Sequence, residues 1–261
     1  LRSKIRNLLA QTVNTPFPSW LQYFDTINST NNYAMQLVDD GLAQHGTVIW
    51  ANHQQQGKGQ RGKSWVNGSG NIMMSLIVKP RIPSDQQFVL SMLVACTITT
   101  YLLTISQQWQ VAIKWPNDIY INDKKACGVL IENTFRGSEW THAIIGMGLN
   151  VNQDQFGADL NLATSMYQAL QQKFDRLELV TDIRAGLLNA LQYWHAQPMV
   201  SLINLYNQHL FKRNESVGFR DRDTGLVFEA VVKGVNPYGQ LELSTTKGIQ
   251  TFNFGSIDWL L

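Results

Sequence analysis

The stretch GKGQRGKSW, Gly57 to Trp65, is where the residue types and their spacing point most directly to chemistry. Three glycines alternate with Lys58, Arg61 and Lys63 directly after an apolar run, Thr47 to Ala51. Glycine lets the backbone turn sharply and bring its N–H groups close to a ligand. Cationic side chains interleaved with those N–H groups suit an anion, above all a phosphate. Gly57, Gly59 and Gly62 satisfy the dinucleotide fingerprint, and Gly57, Gly62, Lys63 and Ser64 satisfy the P-loop pattern. Both patterns need a helix to begin at the last glycine, so that its N-terminus faces the phosphate. The continuation Val66-Asn67-Gly68-Ser69-Gly70-Asn71 is made of turn formers, which argues against either.

A second cluster follows in Lys114 to Asp118, KWPND, at the end of a strand running from Val111 to Trp115. Pro116 cannot donate to a ladder and marks where that strand stops. Asn117 and Asp118 then stand on a loop held by a rigid strand, a frequent place for chemistry, although a plain Pro-Asn-Asp turn reads equally well. Asn122-Asp123-Lys124 is a tight turn with Lys125 on its far side. The strand from Thr141 to Val151 carries Gly146 and Gly148, and glycines within a strand suggest close approach by a ligand or another backbone. Cys127 reads as a packed thiol rather than a nucleophile.

The elements that must position these groups are legible as apolar runs and caps. Arg2 to Ala10 reads as a short helix and Leu21 to Phe24 as a strand. Ser29 or Thr30 caps a helix whose apolar face is Tyr33, Ala34, Leu37 and Val38, ending at Gly41. Thr47 to Asn52 feeds the glycine loop and Ile72 to Lys79 leaves it. Ser84 to Gln87 reads as a capping box for a long helix through Ile105. From Phe88 to Ile105 that helix has 18 residues without a charge, long enough for a bilayer. Its many threonines and mid-chain position favour a buried helix. Cys127 to Glu132 is a strand, and helices follow at Thr181 to His195 and Met199 to Phe211. Beyond Phe211 short strands and turns take over at Leu226 to Val235, Leu241 to Ser244 and Thr251 to Phe254. They read as a small antiparallel barrel.

The 261 residues, 44% apolar and 15% charged, are those of a globular chain, and a net charge of +2 gives no global field for nucleic acid. Two cysteines exclude a disulfide scaffold and favour a reduced, cytoplasmic setting. Five scattered histidines show no metal-ligand spacing, so no protein metal site is expected.

In this order, QQQGKGQRGKSW, KWPND, KKACGVLIE and GMGLNVN, with Ser29-Thr30-Asn31 ahead of them, resemble the biotin protein ligases from about Leu21 to the end. The resemblance implies an α+β fold, a mixed sheet flanked by helices, as a catalytic domain over 1–211. A small SH3-like barrel over 212–261 would follow. It implies that biotin and ATP, with Mg²⁺, give biotinyl-5′-AMP, and that the biotinyl group passes to one lysine of a biotin carboxyl carrier protein. Ser29, Thr30, Asn31 and Gln54 would hold the ureido ring, and the backbone from Gly57 through Lys58, Gly59 and Gln60 would fold over it. Lys58, Arg61, Gly62, Lys63, Lys114, Asn117 and Asn150 would face the nucleotide, and Lys125 would bridge the biotin carboxylate and the α-phosphate. Lys114, Lys125 and Asp118 are the expected catalytic groups. Trp65 would pack on the ligand or serve as a core anchor.

The usual family loop is close to GRGRRGR. Lys58 and Lys63 here keep the charge but lose the bidentate fork, and Gln60 loses the charge, which bears on how tightly the loop retains the adenylate. The 28 residues ahead of Ser29 are too few for a winged-helix domain, so a ligase without DNA binding and without a membrane partner, monomeric or homodimeric, is expected. A lipoate-type ligase of the same fold and a P-loop module are the alternatives.

Overall fold

The computed structural model describes residues 17–261 except Lys63, Asn67 and Gln197, so the helix expected at Arg2 to Ala10 lies outside the described residues. The apolar runs pair into one seven-stranded sheet of order β1-β2-β3-β7-β6-β5-β4. Its strands are β1 Leu21–Ile27, β2 Val48–Gln54, β3 Ile72–Val78, β4 Val111–Lys114, β5 Asp118–Ile121, β6 Lys124–Arg136 and β7 Glu139–Leu149. β1 and β2 are parallel and every other neighbour is antiparallel, which makes the sheet mixed.

β3 is buried at every position, because both faces of the central sheet are covered. On one face lies helix α1, Thr30–Asp39, whose Ala34, Leu37 and Val38 pack on Ile49, Ile77 and Ile144. On the other lie α2, Gln87–Ile105, and α4, Arg176–Tyr193, with α3, Met166–Leu170, beside them and α5, Met199–Gln208, against α2. Among the described residues, α2 is the one helix long and apolar enough to cross a membrane. In this fold it is a core helix, packed against β4, α4 and α5.

The capping box expected at Ser84 does not form. The helix begins at Gln87, with Gln86 at the cap position and no side-chain cap bond. Gln86 N–H instead closes a turn on the Pro83 carbonyl. KWPND also differs from its expected loop. Asp118 is the first residue of β5, antiparallel to β4, with Lys114 opposite it in register. Both Asn122 and Asp123 take left-handed backbone, as a two-residue hairpin turn with right-twisting strands requires.

After α5 the chain forms a five-stranded antiparallel sheet of order β11-β10-β9-β8-β12. Its strands are β8 Ser216–Asp221, β9 Val227–Val235, β10 Leu241–Thr245, β11 Gly248–Phe252 and β12 Ile257–Leu260. The first and last lack a long apolar run and were not legible in sequence. Asn207 of α5 clips this sheet on through both sides of its amide, with Nδ2 donating to Val235 O at 3.0 Å and Oδ1 accepting from Val235 N at 2.7 Å. Trp115 Nε1 donates to Gly239 O at 2.9 Å, and the apolar core runs without a break through both sheets.

Candidate functional site

The strand registers explain why a trough opens where it does. Side chains alternate along a strand, so Ser75, Gly146 and Gly148 share one face with Ile77 and Ile144. Gly128 pairs with Gly148 and joins the same face. Where that face carries isoleucines, α1 covers it. One or two pairs further along, serine and glycines replace them, and a cleft of about 290 Å³ lies between the N-terminus of α1, the glycine loop and the C-terminal sheet. That is close to the small end of pockets that take small molecules, roughly 300 Å³ upward.

At one end lies a buried polar cluster. Ser29 caps α1, its Oγ accepting from Asn32 N at 3.4 Å. Gln54 Oε1 accepts from Thr30 N at 2.8 Å and from Thr30 Oγ1 at 3.1 Å. Ser75 Oγ stands 2.5 Å from Asn31 Oδ1 and 2.8 Å from Thr30 Oγ1. Asn31 Nδ2 donates to Glu132 Oε2 at 2.7 Å, which fixes the amide, because a carboxylate only accepts. The hydroxyls of Ser75 and Thr30 therefore bring two protons to three oxygen–oxygen contacts. Each of these oxygens has a partner within the cluster, and their remaining lone pairs can accept from a ligand N–H.

The glycines are required by what sits on them. A Cβ on Gly146 would lie 2.2 Å from Asn31 Oδ1, and one on Gly148 2.3 Å from the Trp65 indole. Trp65 thus lies flat across the Gly128–Gly148 pair, with its Nε1 buried and unpartnered. Gly148→Ala is expected to unseat the indole and destabilise the fold by about 1–3 kcal/mol, the usual range for overpacking. A urea-unfolding midpoint equal to wild type would show that the indole yields freely.

The loop itself is an excursion closed at its base by Trp65 N donating to Gly57 O at 2.9 Å and by a bridge between Lys58 and Ser64. Among its described residues the helical character is one 3-10 turn, Gln60–Gly62, in which Arg61 has left-handed backbone at φ 55°. Among the described residues no α-helix starts there, so neither phosphate motif finds the context it needs. Arg61 is held by the C-terminal sheet, with Nη1 donating to Gly255 O at 2.6 Å and its guanidinium 5.7 Å from the Phe254 ring. Lys58 pairs with Glu132 at 3.3 Å, and Gln60 Nε2 reaches Val129 O at 3.5 Å.

At the other end Lys125 Nζ is 2.7 Å from Asp118 Oδ2 and 5.8 Å from the centre of the Trp65 ring. Lys114 Nζ lies over Tyr120 at 5.6 Å and Trp259 at 5.8 Å. Burial, reinforced by the Asp118 charge, pushes the Tyr120 phenol up, so it remains neutral. Asn117 donates to Val129 O and leaves its own Oδ1 buried without a partner. Burial drives the thiol of Cys127 up, in keeping with its reading as packed and inert.

Of the expected site residues, Ser29, Thr30, Asn31, Gln54, Lys58, Gly59, Gln60, Arg61, Trp65, Lys114, Asn117, Asp118 and Lys125 line this one cleft. Gly57 and Gly62 lie in the loop's frame, outside its lining, and Lys63 lies outside the described residues. Asn150 is set apart. Its amide donates to Thr164 O at 3.0 Å and accepts from Asn71 at 3.2 Å, so it pins the chain behind β7. Ser75, Glu132, Arg222, Phe254 and Trp259 were missed. A serine within IMMSLIV and a glutamate closing KKACGVLIE were the available signals for the first two. Nothing in the sequence pointed to the other three.

The mixed sheet thus carries a glycine-floored, lysine-lined trough, a cleft suited to a small anionic ligand. Residues 23–150 match the model of the biotin/lipoate A/B protein ligase family. The chain belongs to that family. It is 31% identical to the bifunctional ligase/repressor BirA of Bacillus spizizenii over 242 residues, which span 91% of this chain and 73% of the relative. It is 33% identical over 125 residues, 48% of this chain and 51% of the relative, to the biotin–[acetyl-CoA-carboxylase] ligase of Paracoccus denitrificans. The biotin protein ligase of Aquifex aeolicus, solved in complex with biotin and ATP, has the same fold, with a TM-score of 0.76 at 21% identity over 92% of this chain and 98% of that one.

Proposed function

We propose that this chain is an ATP-dependent ligase that converts biotin to biotinyl-5′-AMP and transfers the biotinyl group to a lysine of a biotin carboxyl carrier protein. Residues 1–211 would form the catalytic unit, and 212–261 would wall its cleft. The observation that carries the reading is one cleft with the buried polar cluster of Ser75, Thr30, Asn31 and Gln54 at one end and Lys114 and Lys125 at the other. A urea ring brings N–H and C=O groups that such amides and hydroxyls can match, and a buried urea left unpaired would be costly. A dithiolane ring has no such groups, which sets biotin above lipoate.

In the first step a biotin carboxylate oxygen attacks the α-phosphorus of ATP, the bond to the β-phosphate oxygen breaks, and pyrophosphate leaves. Two anions must meet, and Lys125 and Lys114 supply fixed positive charge at the junction, with Lys58 and Arg61 on the loop. When bound with the nucleotide, Mg²⁺ would neutralise phosphate charge. Among the described residues no group of three metal-ligating side chains exists. The acids lining the cleft are paired, Asp118 with Lys125 and Asp258 with Arg222, and Glu132 beside it is paired with Lys58. The residues present therefore fit a cation held largely by nucleotide phosphates rather than a protein cage. In the second step the lysine amine attacks the carbonyl carbon, AMP leaves, and Asp118 takes the proton lost by the amine.

Pyrophosphate exchange into ATP tests the reading: exchange that depends on biotin and not on lipoate is expected, and lipoate-dependent exchange would overturn it. Gln60 bears on retention of the intermediate, because its long contact with Val129 O is a weak tie. Gln60→Arg is expected to slow escape of biotinyl-AMP about tenfold, the scale of one charge-assisted hydrogen bond. An unchanged release rate in a single-turnover chase would remove Gln60 from that role.

A further inference from the structure

We propose that Glu132 is a positioning residue for the biotin head: its carboxylate turns the Asn31 amide so that Oδ1 faces the ureido pocket, while its other oxygen tethers Lys58 of the glycine loop. The proposal rests on the ligase reading above. Glu132 lies on β6, opposite Ile144 of β7, on the same sheet face as Gly128 and the glycine floor. Oε2 accepts from Asn31 Nδ2 at 2.7 Å, and Oε1 faces Lys58 Nζ at 3.3 Å. Each oxygen thus serves a different half of the site.

The need for such a residue follows from the amide itself. An asparagine side chain presents either an acceptor or a donor pair after a half-turn of its terminal torsion, and only the neighbours select one. Toward the sheet, Asn31 Oδ1 sits over Gly146, where a Cβ would be only 2.2 Å away, so packing allows the amide close approach without choosing its polarity. Ser75 does not choose either, since a hydroxyl donates or accepts equally well. Glu132 does, because an ionised carboxylate has no proton to give. With Nδ2 held at Glu132, Oδ1 is left to take the Ser75 proton or a ligand N–H. Were the amide to reverse, Nδ2 would face the ureido N–H groups and donor would meet donor.

The two halves of this role separate by substitution. Glu132→Gln keeps an acceptor for Asn31 and removes the charge facing Lys58; Glu132→Ala removes both. Biotin-dependent pyrophosphate exchange and calorimetric biotin binding are measured on each variant of the full chain. Glu132→Ala is expected to raise KM and Kd for biotin about tenfold, the scale of losing a hydrogen bond to a charged group, with KM for ATP within about twofold of wild type. Glu132→Gln, whose amide can offer Asn31 either an acceptor or a donor, is expected to bind biotin more tightly than Glu132→Ala and more weakly than wild type.

A polarity-exchange pair guards against a general folding defect. Asn31→Asp sets two carboxylates against each other and is expected to bind biotin poorly. Adding Glu132→Gln, whose amide donates to the new aspartate, is expected to recover part of that loss. Biotin affinity unchanged in a Glu132→Ala protein that melts like wild type would overturn the proposal. So would equal rises in the KM for biotin and ATP, or a double variant no better than Asn31→Asp alone. Wild-type protein that shows no biotin-dependent exchange would instead sink the ligase reading.

Discussion

Lys125→Ala is expected to lower biotin-dependent pyrophosphate exchange by about 10²–10³-fold, the loss typical of removing one preorganised charge-stabilising donor. The side chain is half-buried, beside the Trp65 ring and 2.7 Å from Asp118, so its ammonium is held before any substrate arrives. A charge already in place needs no rearrangement as negative charge gathers between carboxylate and α-phosphate. The backbone of Lys125 is fixed independently of its side chain, donating to Leu162 O at 2.7 Å and accepting from Thr164 N at 2.9 Å. Folding should therefore survive, and the partly exposed ion pair contributes at most about 1 kcal/mol to stability. Exchange that persists at the wild-type rate in Lys125→Ala would remove the residue from the first step.

Asp118→Asn separates the two steps. Its effect on exchange is expected to stay within about fivefold, because Asn Oδ1 still accepts from Lys125 in the same place. Transfer from preformed biotinyl-AMP to a carrier lysine is expected to fall by about 10²–10³-fold, within the range for general base catalysis. The attacking amine must lose a proton, and an amide takes none. Rapid quench of the second half-reaction reads this directly. Equal losses in both halves would mean that Asp118 only positions Lys125.

Legibility in the sequence followed the range of the interactions involved. The strands around the glycine loop, α1 with its Ser29 cap and the buried α2 were readable, because each rests on a local period or cap. The capping box at Ser84 was misread for the converse reason: the Pro83 carbonyl claims the N–H of Gln86, and the helix starts after it. Asp118 was placed on a loop because Pro116 interrupts the run, whereas pairing with β6 draws it into a strand. β8 and β12 escaped notice since each is held mainly by its partners.

What the sequence determined by itself was which chemical groups are present and roughly in what order: a glycine-rich cationic loop, two lysines near strand ends, a carboxylate, and glycines where side chains would block approach. Only the tertiary structure decided their partners. It set Glu132 against Asn31 and Lys58, Ser75 between Thr30 and Asn31, and Arg61 on Gly255, contacts between residues 44 to 194 positions apart. The physical reason is that a hydrogen bond or ion pair depends on distance and direction in space. Strand register sets those, and no local pattern along the chain encodes them.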